Sequence, residues 1–205
     1  MIGAKQRLNT RSGFTLIEIL IVVALFSMAM LILSEVFLAF NRLHRKISNQ
    51  VVLSQDMRFA TELLVRESRN KAFNYDPTAY LSGTVASSSE MHLIDADGTQ
   101  EDIAVVSGAS CGDVATINCL ALRQTPPGGV ASAWSPITSK HVNVLMFGSY
   151  VRPTVSPFIP QSDGSYVNVQ PMATIVLNLQ YATGDVQTSS TLEAQTTVSS
   201  RIYQR

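Results

Sequence analysis

A short run near the N-terminus, Gly13-Phe14-Thr15-Leu16-Ile17-Glu18, places an ionisable side chain inside an apolar segment. The 13 residues that end in Gly13 carry three basic residues and no acidic one. Residues 14–40 are then apolar apart from three hydroxyl residues, Thr15, Ser27 and Ser34, and two glutamates, Glu18 and Glu35. A carboxylate inside a membrane-length apolar segment is costly unless it is neutralised, so Glu18 is a candidate functional residue.

This arrangement resembles the class III signal of type IV pilins and type II secretion pseudopilins. The resemblance implies that a prepilin peptidase cuts between Gly13 and Phe14, that the new N-terminus at Phe14 is methylated, and that Glu18 assists assembly with other pilins. An ordinary secretory signal is cut after its apolar region, which is then lost. A cut after Gly13 would instead keep the apolar region on the mature protein. A simple signal anchor is the other interpretation, but an anchor has no need of these six residues in this order.

The distribution of charge predicts the orientation of the chain in the membrane and argues against nucleic acid as a partner. The 205-residue chain has 15 basic and 15 acidic residues, and removing Lys5, Arg7 and Arg11 with the leader leaves a formal charge near −3. The basic leader predicts a cytoplasmic N-terminus, which places the following domain beyond the inner membrane. Strong nucleic-acid binding needs clustered basic residues. We therefore expect no strong binding to nucleic acid. The resemblance to pilins implies location in the bacterial inner membrane and then in a periplasmic or surface fibre.

The chain divides into three predicted regions: a leader at 1–13, a transmembrane and assembly helix at 14–40, and a periplasmic globular domain at 41–205. The helix is expected to continue unbroken into an amphipathic half at 41–74, since no proline occurs before Pro77. Its predicted core side is marked by residues at helical spacings of four, three and four. These residues are Leu53, Met57, Ala60 and Leu64, with Leu43 and Ile47 roughly continuing that side.

After Pro77 the apolar residues alternate with polar ones, which is typical of strands. Asp97-Gly98 between two apolar runs predicts a hairpin. Further strands are expected at 117–123, at 142–146 with Val142, Val144 and Met146 on one face, at 174–181, and at 196–203, with an irregular loop over 151–166. The predicted fold class is therefore α+β and pilin-like, with a long N-terminal helix packed on a mostly antiparallel sheet.

The two cysteines, Cys111 and Cys119, have seven residues between them. In an oxidising compartment such a pair favours a disulfide that closes a small loop. A metal pair is the alternative, but the spacing is not Cys-x-x-Cys and there is no second pair.

Three further stretches resemble particular subfamilies of pilins and pseudopilins. Residues 54–60 and 63–69 look like the helix of PilW-like minor pilins, except that Met57 stands where those proteins typically have glycine. Residues 196–203 are similar to the closing strand of PilW-like proteins and of J-type minor pseudopilins. Both subfamilies are larger than major pilins, which suits a chain of this length.

Other chemistry is not indicated. The histidines His44, His92 and His141 lie far apart in the sequence, so none forms a metal-spaced pair. No nucleophile elbow or phosphate loop occurs. We expect no metal, no cofactor and no enzymatic activity. The predicted function is a minor pilin or pseudopilin, a structural subunit of a type IV pilus, a type II secretion pseudopilus or a competence fibre. The alternative is a membrane-anchored periplasmic binding or adhesion module at a fibre tip.

Overall fold

The computed structural model describes residues 13–111, 117–160, 162, 164–166, 169–182 and 189–201. The chain separates into two compact units, Met1–His44 and Arg45–Arg205. One helix, α1 (Leu16–Asn70), begins in the first unit and ends in the second. The elements that follow it are β1 (Ala72–Phe73), a short 3₁₀ helix (Pro77–Ala79), β2 (Glu90–Ile94), β3 (Gln100–Ser107), β4 (Asn118–Thr125), β5 (Ser135–Pro136), β6 (Val142–Arg152), β7 (Met172–Tyr181) and β8 (Thr191–Ser199).

The second half of α1 supplies one side of the core of the second unit. The four residues predicted from helical spacing are all buried, at 0–5 % exposure, which confirms the core side of the helix. Leu43 and Ile47, which roughly continue that side in sequence, are about half exposed (56 % and 51 %). The buried stripe therefore starts at Leu53.

The helix ends at Asn70 rather than near Phe73 or residue 74 as expected. Lys71 still donates its backbone N–H to the carbonyl of Glu67, but Ala72 then pairs with Ile94 across β1 and β2. The sheet thus takes over the backbone hydrogen bonds of residues that helical periodicity alone would leave in the helix.

The strands form two antiparallel sheets where a single sheet was expected. The first has five strands in the order β1-β2-β3-β4-β5, and the second has three in the order β6-β7-β8. Side chains from both sheets meet the buried stripe of α1 in one apolar core. The α+β arrangement of one long N-terminal helix and antiparallel strands is therefore confirmed.

The β2–β3 hairpin forms as predicted. Gly98 has a φ of +85°, a conformation that glycine adopts without steric cost, and its N–H donates to the carbonyl of Asp95 at 3.0 Å. The side chain of Asp97 accepts the backbone N–H of Thr99 at 2.8 Å. These contacts close the turn at the position that Asp97-Gly98 indicates.

Two strand predictions need correction. In β6 the register with β7 shifts between Val144 and Met146, so Met146 is 45 % exposed and Phe147 takes the core position. The extra residue of a bulge reverses which side chains face inward, and alternation in the sequence cannot show it. The last strand was expected at 196–203, but it runs from Thr191 to Ser199, and residues 202–203 lie outside the described part.

In the five-stranded sheet, the side chains that alternate with the core residues along the strands form a connected series of polar contacts. His92 Nδ1 lies 2.6 Å from Asp102 Oδ1, and His92 Nε2 lies 3.2 Å from Glu90 Oε2. Arg123 Nε donates to the other oxygen of Asp102 at 2.8 Å. The ring of Tyr80 packs edge-on against His92, with 4.6 Å between centroids. His92 is therefore a buried histidine whose two ring nitrogens both have polar partners.

Charge interactions set the pKa of Asp102. Burial acts to raise the pKa of this carboxyl, but the hydrogen bonds from His92 and Arg123 outweigh burial and hold the pKa below its usual value. Glu67 behaves similarly: burial opposes the shift, and the contacts with Arg66 and Lys71 lower its pKa.

The predicted disulfide is present. Cys111 and Cys119 are bonded, with 5.6 Å between their Cα atoms. They form a small buried cluster with Ala121, against which Trp134 packs. The guanidinium of Arg123 lies 4.5 Å from the centre of the Trp134 ring, so the disulfide cluster adjoins this series of polar contacts.

Replacing Cys111 and Cys119 together by alanine should lower the free energy of unfolding by roughly 2–3 kcal/mol, because the unfolded chain regains the entropy of a small closed loop. Thermal unfolding of the purified protein with and without a thiol reductant measures this change. The reductant should destabilise the wild type and leave the double variant unchanged. Equal melting temperatures of the wild type and the double variant in the absence of reductant would contradict the expectation.

Acid should weaken the second unit partly through Asp102. A carboxyl whose pKa is lower in the folded state contributes stability above its unfolded pKa, near 4, and that stability is lost as the pH falls through the folded value. Asp102→Asn should cost roughly 2 kcal/mol at pH 7, since Arg123 and His92 lose a charged partner. Denaturant unfolding at a series of pH values from 7 to 3 tests both effects. As the pH falls below about 5, the free energy of unfolding should decrease less in the variant than in the wild type. The decrease that remains in the variant includes the contribution of Glu67.

Candidate processing and assembly site

The predicted processing residues stand just before α1. Gly13, Phe14 and Thr15 are outside the helix, and Gly13 and Phe14 are exposed. A Cβ atom added to Gly13 would meet no described atom within 4 Å. Packing within the described chain therefore does not require glycine at this position. A requirement for glycine here would have to come from a molecule that approaches the backbone closely.

Thr15 caps the start of the helix, a role that the sequence analysis missed. Its side-chain oxygen accepts the backbone N–H of Glu18 at 3.3 Å, and its carbonyl accepts the N–H groups of Glu18 and Ile19 at 3.1 and 3.2 Å. The signal was present as Thr-x-x-Glu before an apolar run, which is the capping-box pattern. Thr15 thereby satisfies one of the four backbone donors that a helix start leaves free.

Glu18 lies in the first turn of α1, one turn after Phe14. Its side chain is exposed, and its carboxylate has no hydrogen bond or ion pair with any residue in the described ranges. In a complete capping box the Glu18 carboxylate would accept the backbone N–H of Thr15, but among the described residues only the bond from the Glu18 N–H to the Thr15 hydroxyl is formed. The position also suits a negative charge at the positive end of the helix dipole.

The helix segment that carries Glu18 is apolar on all sides. Every residue in 13–40 is exposed, including large side chains such as Leu16 (84 %) and Leu31 (69 %). Among the described residues, α1 is the one helix that is long and apolar enough to cross a membrane, and its most apolar stretch is not buried in the protein. A helix that is apolar all round is a membrane span or is covered by other helices.

The serine hydroxyls of this segment are satisfied within the helix. Ser27 Oγ donates to the carbonyl of Val23, and Ser34 Oγ donates to the carbonyl of Met30, both at 2.8 Å. Such bonds let hydroxyl groups enter an apolar medium without an unpaired donor. The carboxylates of Glu18 and Glu35, in contrast, have no polar partner among the described residues, so their transfer into an apolar medium costs free energy that no local contact offsets.

The remaining candidate residues belong elsewhere. The Cys111–Cys119 disulfide lies in the second unit and stabilises that unit. Within the described ranges, no group of three or more His, Cys, Asp or Glu side chains is arranged to hold a metal ion. The candidate residues for processing and assembly are therefore Gly13, Phe14 and Glu18, and the apolar helix follows them.

Comparison with known proteins bears on this N-terminal segment. Residues 8–34 match the family model of the prokaryotic N-terminal methylation motif. The match includes Gly13, Phe14 and Glu18 and ends within the apolar part of α1. No curated protein and no solved structure gives a significant match to the chain. The chain thus carries the prokaryotic N-terminal methylation motif, the prepilin leader of type IV pilins and pseudopilins, at the start of a long apolar helix.

Proposed function

We propose that this protein is a minor pilin or pseudopilin, a structural subunit of a type IV pilus or of a related secretion or competence fibre, assembled through its N-terminal helix. The observation that carries the proposal is the combination of the methylation motif at 8–34 with an apolar helix that is exposed on every side. An anchor alone would explain the helix, and the motif adds processing and assembly with other pilins.

In this proposal the chain has three regions with different fates. Residues 1–13 are the leader that prepilin peptidase removes on the cytoplasmic side. Residues 14–40 cross the inner membrane once and later pack among the helices of neighbouring subunits. Residues 41–205 lie in the periplasm and then in the fibre. The disulfide suits an oxidising compartment.

Phe14 and Glu18 would act as a charge pair. After cleavage the chain starts with the positive amine of Phe14, four residues before the Glu18 carboxylate. Neither charge is favourable alone in an apolar medium, and pairing lowers the cost of both. Pairing between Glu18 of an incoming subunit and the Phe14 amine of its neighbour would favour the correct axial register as the fibre grows. The unpartnered Glu18 carboxylate supports this role.

The assignment as a minor subunit rests on size and on local likeness. Removal of 13 residues from 205 leaves 192, which suits the larger minor pilins. The helix residues 54–69 and the end of the chain have the likeness to PilW-like and J-type proteins described above.

Processing should occur between Gly13 and Phe14. Mass spectrometry of the mature protein should find an N-terminal methylated Phe14. Gly13→Leu should accumulate as the uncut precursor, because a bulky side chain keeps the backbone away from the peptidase, whereas Ser12→Ala next to it should be cut normally. A mature protein that starts at Met1, or after the apolar segment, would contradict this site.

Glu18→Ala should be processed and inserted into the membrane but excluded from fibres. Sheared fibres and membranes probed with an antibody against the protein measure the two fractions. Glu35→Ala, the other glutamate of the apolar segment, and Thr15→Val, which removes the capping hydroxyl and keeps the charge of Glu18, are the matched controls. The assembly role is wrong if Glu18→Ala enters fibres as efficiently as the wild type, or if Thr15→Val is excluded to the same extent.

A further inference from the structure

The end of α1 and the residue two positions beyond β8 border an open cleft of about 430 Å³. Three arginines line it, namely Arg66, Arg69 and Arg201, together with Val65 and a single carboxylate, that of Glu62. The whole chain has equal numbers of basic and acidic residues. The excess of positive charge in this cleft is therefore local.

Backbone contacts hold two of these arginines side by side. The N–H of Arg201 donates to the carbonyl of Arg69 at 3.1 Å. Next to it, Ser200 Oγ donates to the carbonyl of Lys71 at 3.0 Å, and Gln170 Nε2 donates to the carbonyl of Ser200 at 2.9 Å. The end of the last strand is thus fastened to the end of the helix, and the fold brings two like charges together.

Arg69 and Arg201 have no carboxylate partner in the described part of the chain. Arg66 is paired with Glu67 at 2.9 Å, and Glu67 also binds Lys71. Glu62 lies 3.6 Å from Arg58, on the preceding turn. Arg69 and Arg201 are exposed, and no ion pair joins either of them to a described residue.

We propose that this cleft binds an acidic peptide segment of a partner protein, with its carboxylates on Arg69 and Arg201. Guanidinium groups bind carboxylates through paired N–H donors in a fixed plane. Val65 gives an apolar surface beside the arginines, which suits a peptide side chain. Glu62 repels dense negative charge, so the lining favours a segment with one or two carboxylates over a polyphosphate backbone. This inference does not depend on the fibre assignment.

A structural role of the arginines gives a different expectation. Cations near a helix C-terminus interact favourably with the helix dipole. If Arg69 and Arg201 served that purpose alone, replacing them by glutamine would lower the melting temperature without changing the affinity for a peptide. Lysine at the same positions would then restore stability, because it keeps the charge.

The test is direct binding by the purified, processed full-length protein in detergent. A fluorescein-labelled hexapeptide that contains two glutamates and four alanines is the probe, and fluorescence anisotropy measures its affinity at low ionic strength. Arg69→Gln and Arg201→Gln should each weaken binding roughly threefold, and together roughly tenfold, as expected for exposed ion pairs. Arg45→Gln, which removes an exposed arginine of the same helix outside the cleft, should leave the affinity unchanged.

Three outcomes would overturn the proposal: no binding of this peptide to the wild type, equal weakening by Arg45→Gln, or equal competition by inorganic phosphate at the same concentration. Melting temperatures of all variants are recorded alongside. If a glutamine variant is unstable, the Arg69→Lys and Arg201→Lys variants replace it, and they should weaken peptide binding while keeping the fold, since lysine lacks the paired donors. Because the assay contains no fibre, its failure leaves the fibre role of the protein intact.

Discussion

The apolar side chains of residues 16–40 must be kept out of water, and the other features of the N-terminus follow from this requirement. Burial of apolar surface stabilises a structure by about 25 cal/mol per Å². Large apolar side chains are exposed on every side of the helix over residues 16–40. At about 1.5 Å per residue, residues 14–40 would span about 40 Å, more than a hydrocarbon core of about 30 Å. A bilayer or a bundle of similar helices meets the requirement. The folded second unit has its own core and does not need to cover this segment.

The second unit obtains its stability from a different balance. Its apolar core joins one stripe of α1 to both sheets, and the buried side chains of Lys71 and Asp102 have ion-pair partners. Lys71 is nearly buried between Glu67, at 3.1 Å, and Glu101. Burial acts to lower the pKa of Lys71, but the contacts with Glu101 and Glu67 outweigh burial and raise it. Removing one partner of such a group leaves a buried charge uncompensated, which costs far more than the intact pair contributes. This cluster therefore fixes how the end of the helix meets β3.

The sequence predicted the features that depend on local pattern. The buried stripe from Leu53 to Leu64 repeats at the helical period, and Asp97-Gly98 has the residues that its turn requires. The Cys111–Cys119 bond was predicted from the close spacing of the two cysteines and the expected oxidising compartment. Features that depend on pairing between distant strands could not be predicted in this way. The bulge that exposes Met146 and the early start of β8 are set by contacts with β7.

The polar contacts among His92, Asp102 and Arg123 are a second feature that the sequence pattern could not predict. His92 lies ten residues from Asp102, and Arg123 lies 21 residues further along. The three residues stand side by side because β2, β3 and β4 pair in one particular register. A shift by one residue would move each of them to the core face. Alternation predicts that such strands exist, but the partner of a polar side chain is known only once the register is known.

At the N-terminus, the half-formed capping box of Thr15 and Glu18, in which the Glu18 carboxylate accepts no hydrogen bond from a described residue, bears on how Glu18 is interpreted. A glutamate in the first turn of a helix has an ordinary explanation, since a negative charge there interacts favourably with the helix dipole and caps free N–H groups. Here the Thr15 hydroxyl already accepts the Glu18 N–H at 3.3 Å, and the Glu18 carboxylate has no partner among the described residues. The dipole contribution of an exposed first-turn charge is about 0.3–1 kcal/mol, whereas placing the charge in an apolar segment costs several kcal/mol. The contribution of Glu18 to helix stability is therefore smaller than the free-energy cost of its charge in an apolar medium. A positive group outside the helix backbone, such as a processed N-terminal amine, would offset that cost by pairing with the carboxylate.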